Sequence, residues 1–126
     1  MIFIIGGRSQ GKTDYVLKNY PSAEICDGAD MSTAELENIA CIDNFHLLIK
    51  RLLKDGKCTD TLIDTIYAGN PSIIIICDEI GSGIVPLEKE DRIYRETVGR
   101  MLCRAVKKAD RVERIACGIG QCLKGE

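Results

Sequence analysis

The sequence predicts an α/β fold with a mainly parallel sheet of about five strands and helices on both of its faces. Five short apolar runs rich in β-branched residues alternate with segments of helical periodicity, a pattern typical of parallel sheets. One run, residues 73–76, is four consecutive isoleucines and predicts a central strand that is buried on both faces. At 126 residues the chain is predicted to form a single domain, residues 1–126.

The elements follow one another in regular alternation. The apolar runs predict strands at residues 2–5, 23–26, 39–42, 72–77 and 112–117. Helices are predicted at residues 12–19, 45–54, 59–68 and 88–109. In the second helix, leucines recur at helical spacing, and Asp55-Gly56 predicts its end. The last helix is long and charged, with an apolar stripe that would face the sheet.

Composition excludes several classes of protein. Hydrophobic residues make up 45% of the chain and aromatic residues only 5%, so the core must be aliphatic. A net charge of −2 argues against nucleic-acid binding through bulk charge. No apolar stretch has the length of a membrane span. We therefore expect a cytoplasmic protein that binds neither nucleic acid nor membrane.

The cysteines favour a reducing compartment. There are seven, an odd number, and no pair has the C-x-x-C spacing of a metal or redox site. Several lie inside apolar runs, where a reduced thiol acts as a small hydrophobic group: Cys26, Cys41, Cys77 and Cys117. The sequence predicts free, buried thiols and no disulfide framework.

The strongest chemical signal is a glycine-rich stretch at residues 6–13, GGRSQGKT, which fits the phosphate-binding pattern G-x-x-x-x-G-K-[ST]. A predicted strand precedes it and a predicted helix follows, so backbone N–H groups can converge on an anion at the start of the helix. Lys12 is expected to contact the β- and γ-phosphates, and Thr13 to bind Mg²⁺. The predicted nucleotide-binding residues are Gly6, Gly7, Arg8, Ser9, Gln10, Gly11, Lys12 and Thr13. The alternative is a chance glycine turn before a helix.

Carboxylates follow two of the predicted strands, at the edge where parallel sheets bind ligands. Asp43 follows the third strand, and Asp78 and Glu79 follow the fourth. One of these positions is expected to hold the metal or its waters, or to position an acceptor hydroxyl, because a nucleotide-bound cation needs an acidic partner. The alternative is that either acid only caps the next helix.

Three further features permit two interpretations each. Gly81 and Gly83 can allow close approach of a ligand or form an ordinary turn. Arginines on the last helix, Arg92 and Arg95 among them, can bind an anionic group or form a solvated face. His46, the only histidine, lies one helical turn after Asp43. It can act as a base or nucleophile with Asp43 in a small NTPase, or be structural.

Taken together, these segments resemble the bifunctional adenosylcobinamide kinase / adenosylcobinamide-phosphate guanylyltransferase family of cobalamin biosynthesis. The most specific stretch is residues 78–86, DEIGSGIVP, which looks like the family's N-E-x-G-x-G-I-V-P with Asp78 in place of Asn. The resemblance also covers the segment DNFHLL at residues 43–48, positions on the last helix from Arg92 to Arg100, and the tail around residues 118–124.

The resemblance implies a RecA-type P-loop fold, ATP or GTP as substrate with Mg²⁺, a corrinoid acceptor (adenosylcobinamide) and a homo-oligomer. It implies catalytic roles for Lys12, Asp43 and Glu79, and metal binding by Thr13 and Asp43. The implied substrate-binding residues are Asp78, Gly81, Gly83, Arg92 and Arg95.

The sequence also departs from the family pattern. The family carries the histidine that takes up the guanylyl group between the phosphate loop and the acidic strand, but residues 14–42 contain no histidine here. His46 comes after the acidic residue, and the family's polar pair on the long helix is replaced by Leu102-Cys103. We therefore expect a nucleotide-dependent kinase of the adenosylcobinamide-kinase type, and these departures argue against guanylyl transfer. The alternative is a paralogue that binds nucleotide as a regulator, without cobinamide chemistry.

Overall fold

A computed structural model describes residues 1–57, 59–79 and 88–125. The strands are β1 Ile2–Gly6, β2 Ile25–Asp27, β3 Cys41–Asp43, β4 Ile74–Asp78, β5 Arg111–Ala116 and β6 Ile119–Lys124. The helices are α1 Lys12–Asn19, α2 Phe45–Lys54, α3 Leu62–Gly69 and α4 Lys89–Lys108. All five predicted strands and all four predicted helices are present, with ends shifted by at most three residues. The predicted α/β class is confirmed.

The described strands form one sheet in the order β2-β3-β4-β1-β5-β6. The first five are parallel, as predicted, and β4 lies near the centre, where its first four residues are buried. The prediction of about five strands was short by one, because β6 pairs antiparallel with β5 at the edge of the sheet. Every residue of β6 is exposed, so it lacks the apolar pattern that reveals a buried strand.

Helices cover both faces of the sheet, as predicted. On one face, α2, α3 and α4 pack against side chains such as Phe3 and Ile75. On the other face, Val16 of α1 packs against Ile4 and Ile76. The alternation of strand side chains between the two faces gives each helical layer its own aliphatic cluster. No helix in the described ranges is both long and apolar enough to cross a lipid bilayer.

The thiols differ from the prediction at two positions, because Cys26 is only partly buried and Cys117 is exposed. Cys41 and Cys77 are buried as expected, and burial raises the pKa of Cys41 to about 12. Cys117 is exposed and lies in the two-residue turn between β5 and β6, with φ of 52°. Strand β5 ends at Ala116, one residue before the predicted end of the strand. The prediction that Cys117 is buried was therefore wrong. The six described cysteines, a set without Cys58, are all free thiols.

The ends of the parallel strands bring the predicted chemistry to one edge of the sheet. Gly6 at the end of β1 is in register with Asp78 at the end of β4, and the Glu79 N–H donates to the Gly6 carbonyl at 2.8 Å. Asp43 ends the neighbouring strand β3. The connection from β1 to α1 therefore begins next to Asp78, at the same sheet edge as Asp43.

Candidate active site

The connection between β1 and α1 depends on its glycines. Gly11 has φ of 88°, in the left-handed region that favours glycine. A Cβ atom there would lie 3.3 Å from the Gly118 Cα. A Cβ at Gly6 would lie 2.5 Å from the Ile115 carbonyl oxygen, too close for any side chain. The backbone of the loop thus requires glycine at the two positions where the motif has it.

The β5–β6 turn holds the loop from the other side. The Gly118 N–H donates to the Gln10 carbonyl at 2.8 Å, and the Cys117 N–H donates to Gln10 Oε1 at 2.7 Å. Both donors belong to a turn that the sequence did not predict. Gln10 therefore has a structural contact as well as its predicted place at the nucleotide, and the edge hairpin contributes to the shape of the loop.

Lys12 is the first residue of α1 and its charge is buried within a polar cluster. Its ammonium lies 2.8 Å from Asp78 Oδ1 and donates to the Gly7 carbonyl at 2.7 Å. The side chain is 7% exposed and that of Asp78 is 20% exposed. A buried ammonium needs such partners because little water solvates it. For the same reason, it attracts a nearby anion more strongly than an exposed ammonium would.

Thr13 and Asp43, which are both predicted to hold a metal, are in contact. The Thr13 hydroxyl donates to Asp43 Oδ2 at 2.7 Å, and Asp43 Oδ1 accepts from the Asn44 N–H at 2.7 Å. Hydroxyl and carboxylate oxygens are hard ligands that suit Mg²⁺. The described residues contain no group of three acidic, histidine or cysteine side chains that could enclose a metal. Mg²⁺ usually takes only one or two protein ligands and completes its shell with water and phosphate, so the pair fits it.

His46 contacts Asp78, whereas the sequence suggested a pairing with Asp43. Its Nδ1 accepts from the Asp78 N–H at 3.2 Å, and its Nε2 lies 3.4 Å from Asp78 Oδ2. Burial lowers the pKa of His46 despite the opposing field of Asp78. The neutral ring carries its proton on Nε2, since Nδ1 is an acceptor. The Asp78 carboxylate thus lies between the Lys12 ammonium and the His46 ring.

These groups line one cavity of about 650 Å³. Its described lining residues are Arg8, Ser9, Gln10, Gly11, Lys12, Thr13, Asp14, Asp43, Asn44, His46, Leu47 and Asp78. Most of the predicted nucleotide-binding residues are in this set. Asp14, Asn44 and Leu47 were missed. Asn44 could have been predicted to form the turn after β3, because Asn adopts the left-handed conformation more readily than most residues. Its φ here is 53°.

Five predicted site residues are not among the described lining residues of this cavity: Gly6, Gly7, Glu79, Arg92 and Arg95. Glu79 pairs with Arg114 on β5, with distances of 3.0 Å from Nε to Oε1 and 3.2 Å from Nη2 to Oε2. Arg92 is exposed and Arg95 half-buried on α4, and neither is among the lining residues. Gly81 and Gly83 lie outside the described residues. The roles assigned to these positions stay predictions.

Comparison with known families gives one match, to the cobinamide kinase / cobinamide phosphate guanyltransferase family over residues 27–123. The chain belongs to this family. A search of the curated proteins returned no match. Membership assigns the chain to the cobinamide kinases and guanyltransferases of cobalamin biosynthesis, which act on cobinamide and a nucleotide.

The family match and the loop motif cover different parts of the site. The match includes Asp43, His46 and Asp78, but it begins after the β1–α1 loop. Assignment of the loop therefore rests on its motif and on its geometry. The cavity joins the two parts, since Lys12 contacts Asp78 and Thr13 contacts Asp43.

Proposed function

We propose that the chain is a nucleotide-dependent kinase that phosphorylates adenosylcobinamide and does not transfer guanylyl groups. The observation that carries the proposal is the convergence of Lys12, Thr13, Asp43 and Asp78 in one cavity at the end of the glycine loop. Two of these side chains suit a nucleotide phosphate and its cation, and two are acidic. Such a set can stabilise charge and position reactants, which is most of what phosphoryl transfer requires.

The phosphates of ATP or GTP would lie against the loop N–H groups, with the Lys12 ammonium at the γ-phosphate. The acceptor hydroxyl oxygen forms a bond to the γ-phosphorus, and the bond from that phosphorus to the β–γ bridging oxygen breaks. The nucleoside diphosphate leaves with the bridging oxygen. Asp78 is next to Lys12 and would accept the hydrogen bond from the attacking hydroxyl, whose proton then passes to solvent. Loss of the Asp78–Lys12 contact on phosphate binding would free Asp78 for this role.

Thr13 and Asp43 are the residues that would hold Mg²⁺ beside the phosphates. When bound, the cation neutralises phosphate charge. The Thr13 hydroxyl is already oriented toward Asp43 by their hydrogen bond, and the Asn44 N–H fixes the other carboxylate oxygen. This orientation reduces the ordering that metal binding would otherwise require.

The absence of guanylyl transfer rests on the one histidine of the sequence. A phosphorus–nitrogen intermediate needs a ring nitrogen with an available lone pair. In His46 the Nδ1 lone pair accepts from the Asp78 N–H, and Nε2 is directed at the Asp78 carboxylate. This arrangement supports a structural role for His46.

The test is transfer of radiolabel from γ-labelled and α-labelled ATP and GTP in the presence of adenosylcobinamide. We expect label from the γ position on the corrinoid and none from the α position on protein. Label on the protein from α-labelled GTP would contradict the loss of guanylyl transfer. Comparison of the two γ-labelled nucleotides gives the base preference.

A second candidate is a regulator that binds nucleotide without transferring it. It is favoured by the two contacts of the Lys12 ammonium, with Asp78 and with the Gly7 carbonyl, because they occupy the charge that would act on the phosphate. A regulator would bind a fluorescent nucleotide and leave both labels in the nucleotide. For either candidate we propose a single domain and a homo-oligomer, which sedimentation of the purified protein tests.

A further inference from the structure

A second cavity, of about 330 Å³, lies between α2 and the first half of α4. We name it the α2–α4 groove. The described residues that line it are Lys50, Leu53, Lys54, Glu90, Asp91, Ile93 and Tyr94. None of them lines the cavity that holds Lys12 and Asp78. The proposed kinase chemistry therefore leaves the groove without a role.

The groove adjoins the first cavity along α2. His46 and Leu47 in the first turn of α2 line the first cavity, and Lys50 in the next turn lines the groove. Tyr94 connects the two, since its hydroxyl donates to the His46 carbonyl at 3.1 Å and its ring borders the groove. Among the described residues, the His46–Tyr94 contact thus links the wall of the groove to the residue that contacts Asp78.

The chemistry of the groove suits a large ligand whose outer groups are neutral. Two lysines and two acids face it, so their charges cancel and it offers no net attraction to an anion. Apolar surface lies between the charges, and Ile93 is 43% exposed although it is large and aliphatic. The Lys50 ammonium lies over the Tyr94 ring, 5.5 Å from its centroid, and forms a cation–π contact with it. Such a surface combines an apolar platform with hydrogen-bond donors and acceptors at its rim.

We propose that the α2–α4 groove binds the edge of the corrinoid ring of the phosphoryl acceptor. A corrinoid has an apolar ring edge and a neutral rim of carboxamides, which both donate and accept hydrogen bonds. The ring edge packs on Ile93 and Tyr94, and the lysines and acids bond the carboxamides. This assignment rests on the proposed kinase function.

Distance is compatible with this arrangement. His46 and Leu53, seven positions apart on α2, are separated by about 10 Å along the helix axis. The hydroxyl that accepts the phosphoryl group in cobinamide ends a flexible side arm, away from the ring. With the ring in the groove, the arm follows α2 past His46 and brings the hydroxyl to Asp78.

The experiment measures binding of cobinamide, detected by its visible absorbance, to the protein loaded with a non-hydrolysable nucleotide. The variant is Ile93→Glu, which places a charge on the apolar platform at an exposed position. The matched control is Leu17→Glu, because Leu17 is 50% exposed on α1, on the opposite face of the sheet. We expect Ile93→Glu to weaken cobinamide binding about tenfold or more and to raise its KM without changing kcat. Leu17→Glu should bind like the unchanged protein.

Nucleotide binding, measured in parallel, separates the outcomes. Both variants should bind one nucleotide per chain with unchanged affinity. If the unchanged protein binds cobinamide and Ile93→Glu binds it equally well, the groove assignment is wrong and the kinase function stands. If the unchanged protein binds nucleotide but no cobinamide, the kinase proposal and the groove assignment both fail. A second nucleotide per chain that is lost in Ile93→Glu would show that the groove binds nucleotide, and would also overturn the proposal.

Discussion

The ion pair between Lys12 and Asp78 makes a prediction that separates stability from activity. Lys12→Met keeps most of the aliphatic chain and removes the ammonium, leaving the Asp78 carboxylate with His46 and partial solvent. Asp78→Asn leaves the Lys12 ammonium, whose side chain is 7% exposed, with the Gly7 carbonyl as its hydrogen-bond acceptor. Each single change therefore leaves one group of the pair short of a partner.

The magnitude follows from burial. Breaking a fully buried pair costs about 3–5 kcal/mol. Asp78 is 20% exposed and keeps its contact with His46, so we expect about 2–3 kcal/mol for each single variant, below that range. The double variant removes both charges and should cost less than the sum of the two, with a coupling energy of about 1–2 kcal/mol.

The assay is urea unfolding of the four proteins of this double-mutant cycle, with γ-label transfer measured on the same samples. Lys12→Met should lower transfer by about 10²–10³-fold or more, because it removes a charge aimed at the transferring group. Lys18→Met is the control, since Lys18 is an exposed lysine of the same helix. Stabilities that add within about 0.5 kcal/mol would refute the coupling. Unchanged transfer in Lys12→Met would refute the catalytic role.

Two further predictions concern the framework of the loop. Gly11→Ala should cost about 2 kcal/mol and weaken nucleotide binding, because its φ of 88° is strained for alanine and its Cβ would be crowded. Gly56 has a φ of 68° but open space around the position of a Cβ atom, so Gly56→Ala should cost about 1 kcal/mol and leave nucleotide binding unchanged. Equal losses of stability in the two variants would show that crowding at Gly11 is irrelevant. Tyr15→Phe should cost about 1–2 kcal/mol in urea unfolding, because its hydroxyl donates to the buried Glu113 at 2.6 Å. Tyr20→Phe, whose hydroxyl is 3.5 Å from the same carboxylate, should cost less, and the reverse order would contradict this explanation.

Most of the fold could be predicted because its elements are amphipathic or fully apolar. The isoleucines of β4 and the leucines of α2 show their burial directly in the sequence. Strand β6 has no such pattern, since it lies at the edge of the sheet with both faces exposed. Its pairing depends on a two-residue turn at Cys117-Gly118, where a cysteine takes a left-handed conformation that its residue type does not predict.

The site divides in the same way between local and long-range information. The glycine loop and its Lys12 could be predicted, because a contiguous motif encodes a contiguous structure. The partners of side chains could not, since they come from strands far apart in the chain. Proximity in sequence suggested Asp43 for His46, whereas the register of β4 brings Asp78 to it. Glu79 likewise pairs with Arg114, a contact between the residue after β4 and strand β5 that no spacing reveals.

Asp78 also connects two of the departures of this sequence from the family pattern. The resemblance gives Asn at this position and a guanylyl-accepting histidine elsewhere. Here the side chain lies between two donors, the Lys12 ammonium at 2.8 Å from one oxygen and the His46 ring at 3.4 Å from the other. A carboxylate presents an acceptor oxygen to each of them, whereas an amide would direct its NH₂ group at one of them. The Asp thus fits a site in which the remaining histidine is a hydrogen-bond partner, and Asp78→Asn should weaken that contact along with the ion pair.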